Sequence, residues 1–210
     1  MGILRNGILG GFEKRTGGVV GRIYKGKNVV SAPPHEMLKS LTELQRRQRT
    51  RFKLVSEFLA SFIILIRIGF GTSKKLFPMQ LAMRKNFKQI VAGQYPDYSI
   101  KYELVTFSNG SLCGPDSPSV TSEGNGVRFN WQCLSQNRFY EFSDRACFLV
   151  YSPADKSAAT AAYAASRSDQ EYHLVLPSAF AGEMLHCYMS FVAEKGKAVS
   201  DSVYLGTIQF

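Results

Sequence analysis

The stretch TELQRRQRTRFKLVSEFLASFIILIRIGFG, residues 42–71, joins a basic half to an almost wholly apolar half. Five of the twelve residues from Thr42 to Lys53 are Arg or Lys. Along the stretch, apolar residues recur at helical spacing, namely Leu44, Phe52, Val55, Leu59, Phe62, Ile63 and Ile66. The preceding SLTE has the form of a capping box, and Gly69 and Gly71 supply a stop. The pattern predicts one helix with its apolar face on a core and its arginines on other faces.

A second helix is predicted from Pro78, a residue well suited to the first helical position, to Gly93. Its loosely apolar side consists of Leu81, Ala82, Phe87, Ile90 and Val91. Before both helices lies an arm, residues 1–39, with eight glycines among its first 34 residues. The segment VVGRIYKGKNVV predicts a short hairpin around Lys25–Asn28. An arm so rich in glycine builds little core, so we expect it to be flexible or to be fixed by packing on the rest of the chain or on a neighbouring copy.

From Tyr98 onward the chain consists of short segments rich in aromatic and β-branched residues and separated by turn residues. These segments are YSIKYELVTF, GVRFNWQC, ACFLVYSP, EYHLVLP, MLHCYMSFVAE and SDSVYLGTIQ. In GVRFNWQC, apolar and polar residues alternate, which places Trp131 on an inward face. About seven strands without intervening helices predict a β-sandwich of immunoglobulin or fibronectin type III topology. Residues 154–167, rich in alanine, suit a helix by propensity or an edge strand, and the strand is slightly favoured.

The formal net charge of +10 is unevenly distributed. Residues 1–93 carry 18 Lys and Arg against 4 Asp and Glu, a net +14, whereas residues 94–210 carry 8 against 12, a net −4. The basic character therefore belongs to the N-terminal part. Neutralisation by the acidic part, within one molecule or between copies, and an external acidic partner are equally compatible with this division.

Residue types that carry catalysis or bind metals are sparse. The four cysteines, Cys113, Cys133, Cys147 and Cys187, lack metal-ligand spacing and are expected to be reduced thiols. The three histidines, His35, His173 and His186, lie in a linker or in predicted strands, where a structural or surface role is more common than a catalytic one. Asp144, at a strand start, is expected to satisfy loop amides. Motifs for a nucleophile elbow, a zinc protease or a phosphate-binding loop are missing from the sequence. The prediction is a non-enzyme without cofactor or metal.

The basic patch is the main functional signal. The candidate interaction residues are Arg46, Arg47, Arg49, Arg51, Lys53, Lys74, Lys75, Arg84 and Lys85. Like charges this close on a helix repel by a few tenths of a kcal/mol per pair, which a negatively charged partner would offset. A solvated face or protein–protein assembly is favoured, and nucleic acid is the main alternative because neutralised phosphates add counterion release. A membrane surface is disfavoured because the helix lacks a Trp- and Leu-rich exposed face. A small-molecule or carbohydrate ligand is disfavoured because Trp131 alternates with core residues.

Targeting signals are not recognisable in the sequence. The N-terminal stretch is interrupted by Arg5, Asn6 and paired glycines, and Asn6 stands where myristoylation requires Ser or Thr. The longest apolar run, FLASFIILI, is shorter than the roughly 20 residues of a membrane span. We expect synthesis in the cytoplasm.

Several motifs occur in an order that resembles a known family. They are a start of the type MGxxxNGILGGFxxxxGxVVG, then LTELQRRQRTRF, GVRFNWQ, DRACFLVYSP and SDSVYLG, which together extend from Gly2 to Gly206. This order is similar to a family of uncharacterised proteins of the same length, 210 residues or so, common in Bacteroidetes genomes. The resemblance implies no catalytic or binding residue, because the family has no established activity. The arm followed by Thr42, Gln45, Arg49 and Phe52 on a helix also resembles virion or prophage structural proteins.

These observations predict an α+β chain: a glycine-rich basic arm (1–39), a helical region of two helices (40–93) and an immunoglobulin- or fibronectin-III-like β-sandwich (94–210). The expected function is that of a structural protein that engages copies of itself or a neighbouring protein through the arm and the basic helix, in a setting compatible with a particle or virion. The alternative is a nucleic-acid-binding accessory protein that uses the same helix against phosphate.

Overall fold

The computed structural model describes residues 3–4, 11–33, 40–71, 76–133, 140–194 and 198–210. The chain divides into two compact units, Met1–Thr42 and Glu43–Phe210. The first is a small sheet, and the second contains the helices and the sandwich.

The first unit is a four-stranded antiparallel sheet in the order β1-β2-β3-β4. Its strands are β1 (Ile3–Leu4), β2 (Phe12–Thr16), β3 (Val19–Tyr24) and β4 (Lys27–Ser31). Lys25 and Gly26 connect β3 to β4 with φ angles of 50° and 75°. Two positive φ angles in a two-residue connection match the right-handed twist of the flanking strands. The predicted hairpin is confirmed.

Three helices open the second unit: α1 (Glu43–Ala60), α2 (Ile63–Gly69) and α3 (Pro78–Asn86). The prediction of one continuous helix before Gly69 is wrong at Ser61 and Phe62. The Ser61 hydroxyl donates to the carbonyl of Phe58 at 2.7 Å, and the Ser61 amide donates to the same oxygen at 3.2 Å. A serine hydroxyl that bonds the preceding turn in this way competes with the regular helical hydrogen bonds, and the helix is interrupted there.

The predicted start of α3 at Pro78 is confirmed, but its predicted end at Gly93 is wrong. The buried Asn86 side chain donates to the carbonyls of Ala82 and Thr106, at 2.9 and 2.7 Å, and accepts from the Thr106 amide at 2.8 Å. These bonds attach the end of the helix to a distant loop. The following residues instead form a two-stranded antiparallel sheet of β5 (Val91–Gly93) and β6 (Tyr98–Ile100), so most of the strand predicted for residues 98–107 is absent as well.

Seven further strands form the sandwich. They are β7 (Asp116–Glu123), β8 (Gly126–Gln132), β9 (Arg145–Ser152), β10 (Ser157–Ser166), β11 (Glu171–Val175), β12 (Met184–Val192) and β13 (Val203–Gln209). The sheet orders are β11-β8-β7 and β10-β9-β12-β13, with every pair antiparallel. Because β10 pairs with β9 rather than joining the three-stranded sheet, the division of strands is that of a fibronectin type III domain, and the predicted sandwich is confirmed. The alanine-rich segment is the edge strand β10.

Strand β7 has no counterpart in the sequence prediction. Its sequence, DSPSVTSE, carries a proline and few apolar residues. It lies at the edge of the three-stranded sheet, where proline and polar residues are tolerated because one side of the strand is unpaired.

The four-stranded sheet is covered on both faces. On β9, Ala146, Phe148 and Val150 belong to the core between the two sheets, whereas Cys147, Leu149 and Tyr151 belong to a second core shared with the helices. The helical side of that second core is Val55, Phe58, Leu59, Phe62, Leu65, Ile66 and Ala82. The face of β12 that carries His186, Tyr188 and Ser190 therefore lies under other parts of the chain. Helices and sandwich form three layers around one central sheet.

A fully buried arginine, Arg167, joins several segments of the sandwich. Its Nε lies 3.1 Å from Oδ2 of the buried Asp144, and its Nη atoms donate to main-chain carbonyls. The guanidinium carbon lies 4.1 Å from the ring centroid of Tyr140 and 3.7 Å from that of Phe191. Burial raises the pKa of Asp144, and the amide of Glu141 and the ion pair with Arg167 partly oppose this. Sequence reasoning placed Asp144 against loop amides correctly but missed its cationic partner.

We expect Arg167→Met to lower the free energy of unfolding by about 3–5 kcal/mol, because it leaves the Asp144 carboxylate buried without a counter-charge. Adding Asp144→Asn to the same protein should restore part of the loss, since the uncompensated charge is then removed. Urea unfolding followed by fluorescence of Trp131, the single tryptophan, measures both changes. If the double variant instead loses the sum of the two single-variant losses in free energy of unfolding, Arg167 and Asp144 do not act as a pair.

Candidate interaction surfaces

The two helices α1 and α3 separate the predicted basic residues into three groups. Arg46, Arg47, Arg49, Arg51 and Lys53 lie on α1, and Arg84 and Lys85 lie on α3. Lys74 and Lys75 lie outside the described residues, as does His35. The interaction role of the nine residues stays a prediction.

The first group, Arg46, Arg49 and Lys53, is exposed on α1. Lys53 Nζ lies 3.7 Å from Glu57 Oε1, one turn further along the helix. Arg46 and Arg49 have no ion-pair partner among the residues that the structure describes. This side of α1 is an accessible cationic edge.

The second group, Arg47 and Arg51, faces the β5–β6 hairpin. The Arg47 guanidinium carbon lies 5.8 Å from the ring centroid of Tyr95, and that of Arg51 lies 5.8 Å from the ring centroid of Tyr98. With the hairpin, these side chains line a cleft of about 320 Å³, which we call the basic cleft. Its full lining is Arg47, Arg51, Val91, Gly93, Gln94, Tyr95 and Tyr98.

Arg51 is the more enclosed of the two. Its guanidinium carbon also lies 5.3 Å from the ring centroid of Phe87, so two aromatic rings contact it. Its Nε is buried and has no hydrogen-bond partner within the described part of the chain. Arg47, by contrast, pairs with Glu43 four residues earlier, and both side chains are largely exposed. Exposed pairs of this kind contribute about 0.3–0.5 kcal/mol, so Arg47 is easily recruited by another anion.

The third group, Arg84 and Lys85, lines a separate cleft of about 410 Å³ with Phe70, Leu81, Gln89 and Asn109. No lining residue is common to this cleft and the basic cleft. The structure therefore gathers two arginines of α1 with two tyrosines and leaves the α3 cations at a different place.

An aromatic cleft of about 330 Å³ adjoins the basic cleft, and Tyr98 lines both. Its walls are Leu54, Glu57, Phe58, Tyr98, Ser99, Ile100, Tyr102, Tyr151, Pro153 and Lys156. Tyr102 and Tyr151 are protonated at neutral pH, as tyrosine ordinarily is, and burial raises the pKa of Tyr102 and raises that of Tyr151 to about 12. Sequence reasoning missed this cleft because its walls come from α1, from the β6 region and from the end of β9.

The histidine in β12 is held by two neighbours. His186 Nδ1 lies 2.9 Å from the Tyr204 hydroxyl, and the imidazole stacks on the Tyr102 ring with centroids 4.0 Å apart. Burial lowers the pKa of His186, and Glu103 opposes this in part.

Burial raises the pKa of the Cys147 thiol and raises that of Cys187 to about 12. These thiols are packed in the cores rather than poised as thiolate nucleophiles.

Within the described ranges, no three His, Cys, Asp or Glu side chains are placed to share a metal ion. None of the helices there is both long and apolar enough to cross a bilayer.

The sheet of the first unit offers an apolar surface of its own. Val19 and Ile23 alternate onto one face of β3, and Val30 joins them because it pairs with Gly21. Their side chains are 38%, 57% and 57% exposed, respectively. We call these three residues the valine–isoleucine face.

Residues 11–206 match a family of unknown function, DUF6266. The chain belongs to this family. The match confirms the resemblance to an uncharacterised family, and it covers β2 to β4, the helices and all but the end of the sandwich. Membership supplies no activity.

No curated protein matches the chain. Among solved structures, the fibronectin type III domain of the human collagen alpha-1(XX) chain is similar, with 18% identity and a TM-score of 0.31 over 47% of this chain and 85% of that one. A likeness this distant carries no argument about function.

We expect stability to decrease as pH falls from about 7.5 to about 5, in part through His186. Its folded-state pKa is lowered, so the unfolded chain takes up a proton at this side chain first, which favours unfolding. His186→Gln and His186→Phe, which cannot titrate there, should both lose less stability than the wild type over this range. Urea midpoints across the range test this, and identical pH dependence in all three proteins would contradict it.

Proposed function

We propose that this protein is a non-enzymatic structural component that assembles with copies of itself through the sheet of its first unit, with the basic helix α1 as a second contact surface. The partner that covers this sheet is a second copy of the chain or, as the alternative, a neighbouring structural protein. A particle or virion is a compatible setting.

The exposed valine–isoleucine face is the observation that carries the proposal. Small sheets become stable in water when an apolar face is buried against something else. Here Val19, Ile23 and Val30 lie exposed on one face of a four-stranded sheet. Full burial of such a side chain stabilises by about 1.5–3 kcal/mol relative to full exposure. Because these three are already partly covered, burying their exposed parts contributes on the order of a few kcal/mol toward association.

The charge distribution supports association between copies. A net +14 before residue 94 and a net −4 after it allow the basic region of one molecule to meet the acidic region of another. Complementary charges of this kind speed encounter and orient the partners.

The chemistry of the described side chains supports a non-enzymatic role. The buried thiols have raised pKa values, and His186 is fixed by a stacked ring and a tyrosine hydroxyl. Thiols and an imidazole in these environments are better suited to packing than to nucleophilic or acid–base catalysis.

Nucleic-acid binding is the second candidate, favoured by the exposed edge of Arg46 and Arg49 and by Tyr95, which is 39% exposed beside Arg47. Cations and an accessible ring together are the elements of single-strand binding.

The valine–isoleucine face is tested by Val19→Thr combined with Val30→Thr. Threonine keeps the β-branched shape that the strands need but adds a hydroxyl to the contact. We expect the dissociation constant of the oligomer to rise at least tenfold, which corresponds to about 1.4 kcal/mol. Size-exclusion chromatography with light scattering, with and without nuclease, measures the change. The matched control is Val175→Thr on β11, where the valine is 59% exposed, and it should leave the oligomer intact.

A monomer that co-purifies with nucleic acid and releases it at high salt would reverse the ranking of the two candidates. A nuclease-resistant oligomer unaffected by the two substitutions would overturn the role of the valine–isoleucine face.

A further inference from the structure

We propose that the groove formed by the basic cleft and the aromatic cleft binds an extended segment of a partner protein that has carboxylates at one end and an apolar or aromatic side chain about three residues further on. The inference deepens the proposed function, since it specifies what the basic helix contacts.

One stripe of α1 forms a wall along the whole groove. Arg47, Arg51, Leu54 and Phe58 follow one another at spacings of four, three and four residues, which keeps them on one side of the helix. The stripe is about 16 Å long at 1.5 Å per residue. Tyr98 stands opposite and lines both clefts, so the two share a border.

The cationic end suits a carboxylate. Aromatic rings contact the guanidinium of Arg51, but its Nε–H has no acceptor among the described residues. Arg51 lines the basic cleft, and its Nη–H groups are the donors that suit a carboxylate bound there. Arg47, whose pairing with Glu43 is exposed and weak, can turn to a second carboxylate.

The other end suits an apolar side chain. Leu54, Phe58, Ile100, Tyr102 and Tyr151 are apolar or aromatic, with Glu57 and Lys156 beside them. The phenols of Tyr102 and Tyr151 are uncharged at neutral pH, as tyrosine ordinarily is, and burial raises their pKa further. Tyrosine-lined sites of this kind bind apolar side chains over the ring and hydrogen-bond at the rim.

The arrangement of charge favours a peptide over a nucleic acid. Arg46, Arg49 and Lys53 lie about 100° or more around the helix from the Arg47–Arg51 stripe. The groove thus offers two cations followed by apolar walls, whereas a nucleic acid needs cations that follow its backbone. An extended chain advances about 3.3 Å per residue, so the groove takes about five residues.

The probe is a fluorescein-labelled peptide of sequence Asp-Glu-Gly-Leu-Phe, titrated with the full-length protein and followed by polarisation. The expected result is saturable binding that weakens at least tenfold for Arg47→Gln combined with Arg51→Gln. The matched control, Arg46→Gln with Arg49→Gln, removes the same charge from the other side of α1 and should stay within about twofold of the wild type. Arg51→Lys keeps the charge but loses the planar fork, and it should also weaken binding. Urea unfolding confirms that each variant is folded.

Peptide specificity is tested with Asn-Gln-Gly-Leu-Phe and Asp-Glu-Gly-Ser-Ser, each of which should bind at least tenfold more weakly. Absence of binding at millimolar protein, equal affinity for the amide peptide, or equal loss in both arginine pairs would overturn the proposal. A labelled oligothymidylate that binds more tightly than the peptide and is weakened by both pairs would assign the arginines to nucleic acid instead. The same titration on Val19→Thr/Val30→Thr protein separates failure of the groove from failure of assembly, because the groove lies in the second unit.

Discussion

Strands β9 and β12 are covered on both faces, and this double burial determines how the second unit is built. One face packs against the three-stranded sheet through Phe148, Met189 and Phe191, and the other packs against the helices through Leu149, Tyr151 and Tyr188. A sheet whose two faces are apolar needs a layer on each side. The helices are therefore part of the core, and α1 is held rigidly enough for its Arg47–Arg51 stripe to form one wall of a groove.

The sequence predicted those parts of the fold that depend on local pattern. Alternation identified β8 and the inward Trp131, and turn residues identified the β3–β4 hairpin. Strand β7 was missed because an edge strand tolerates the proline and serines that break the pattern. The break at Ser61 was missed because it depends on one hydroxyl bonding the turn before it. Arg167 was missed because its partners, Asp144 and Phe191, are distant in sequence and only the fold brings them together.

The candidate site likewise combines local features, which the sequence predicts, with features that depend on long-range packing. The basic helix and its charges could be predicted, since they are local, and helical geometry alone separates Arg47 and Arg51 from Arg46 and Arg49. Which of the two groups lines a cleft depends on where the hairpin packs. The aromatic lining of the groove includes Tyr95, Tyr98 and Tyr151, which come from the β5–β6 hairpin and the end of β9. On our account the groove engages an acidic segment and the valine–isoleucine face engages another copy, so one chain carries two surfaces of different chemistry. Such a division suits a component that contacts more than one neighbour.

The central claim, that the sheet of the first unit is completed by another molecule whereas the second unit is complete in itself, is tested most directly by hydrogen exchange at two protein concentrations. We expect amides of residues 19–31 to exchange slowly in the concentrated protein and rapidly after dilution below the dissociation constant, because their protection depends on assembly. Amides of β9 and β12 should be equally protected at both concentrations. Protection of residues 19–31 that does not change on dilution would contradict the account.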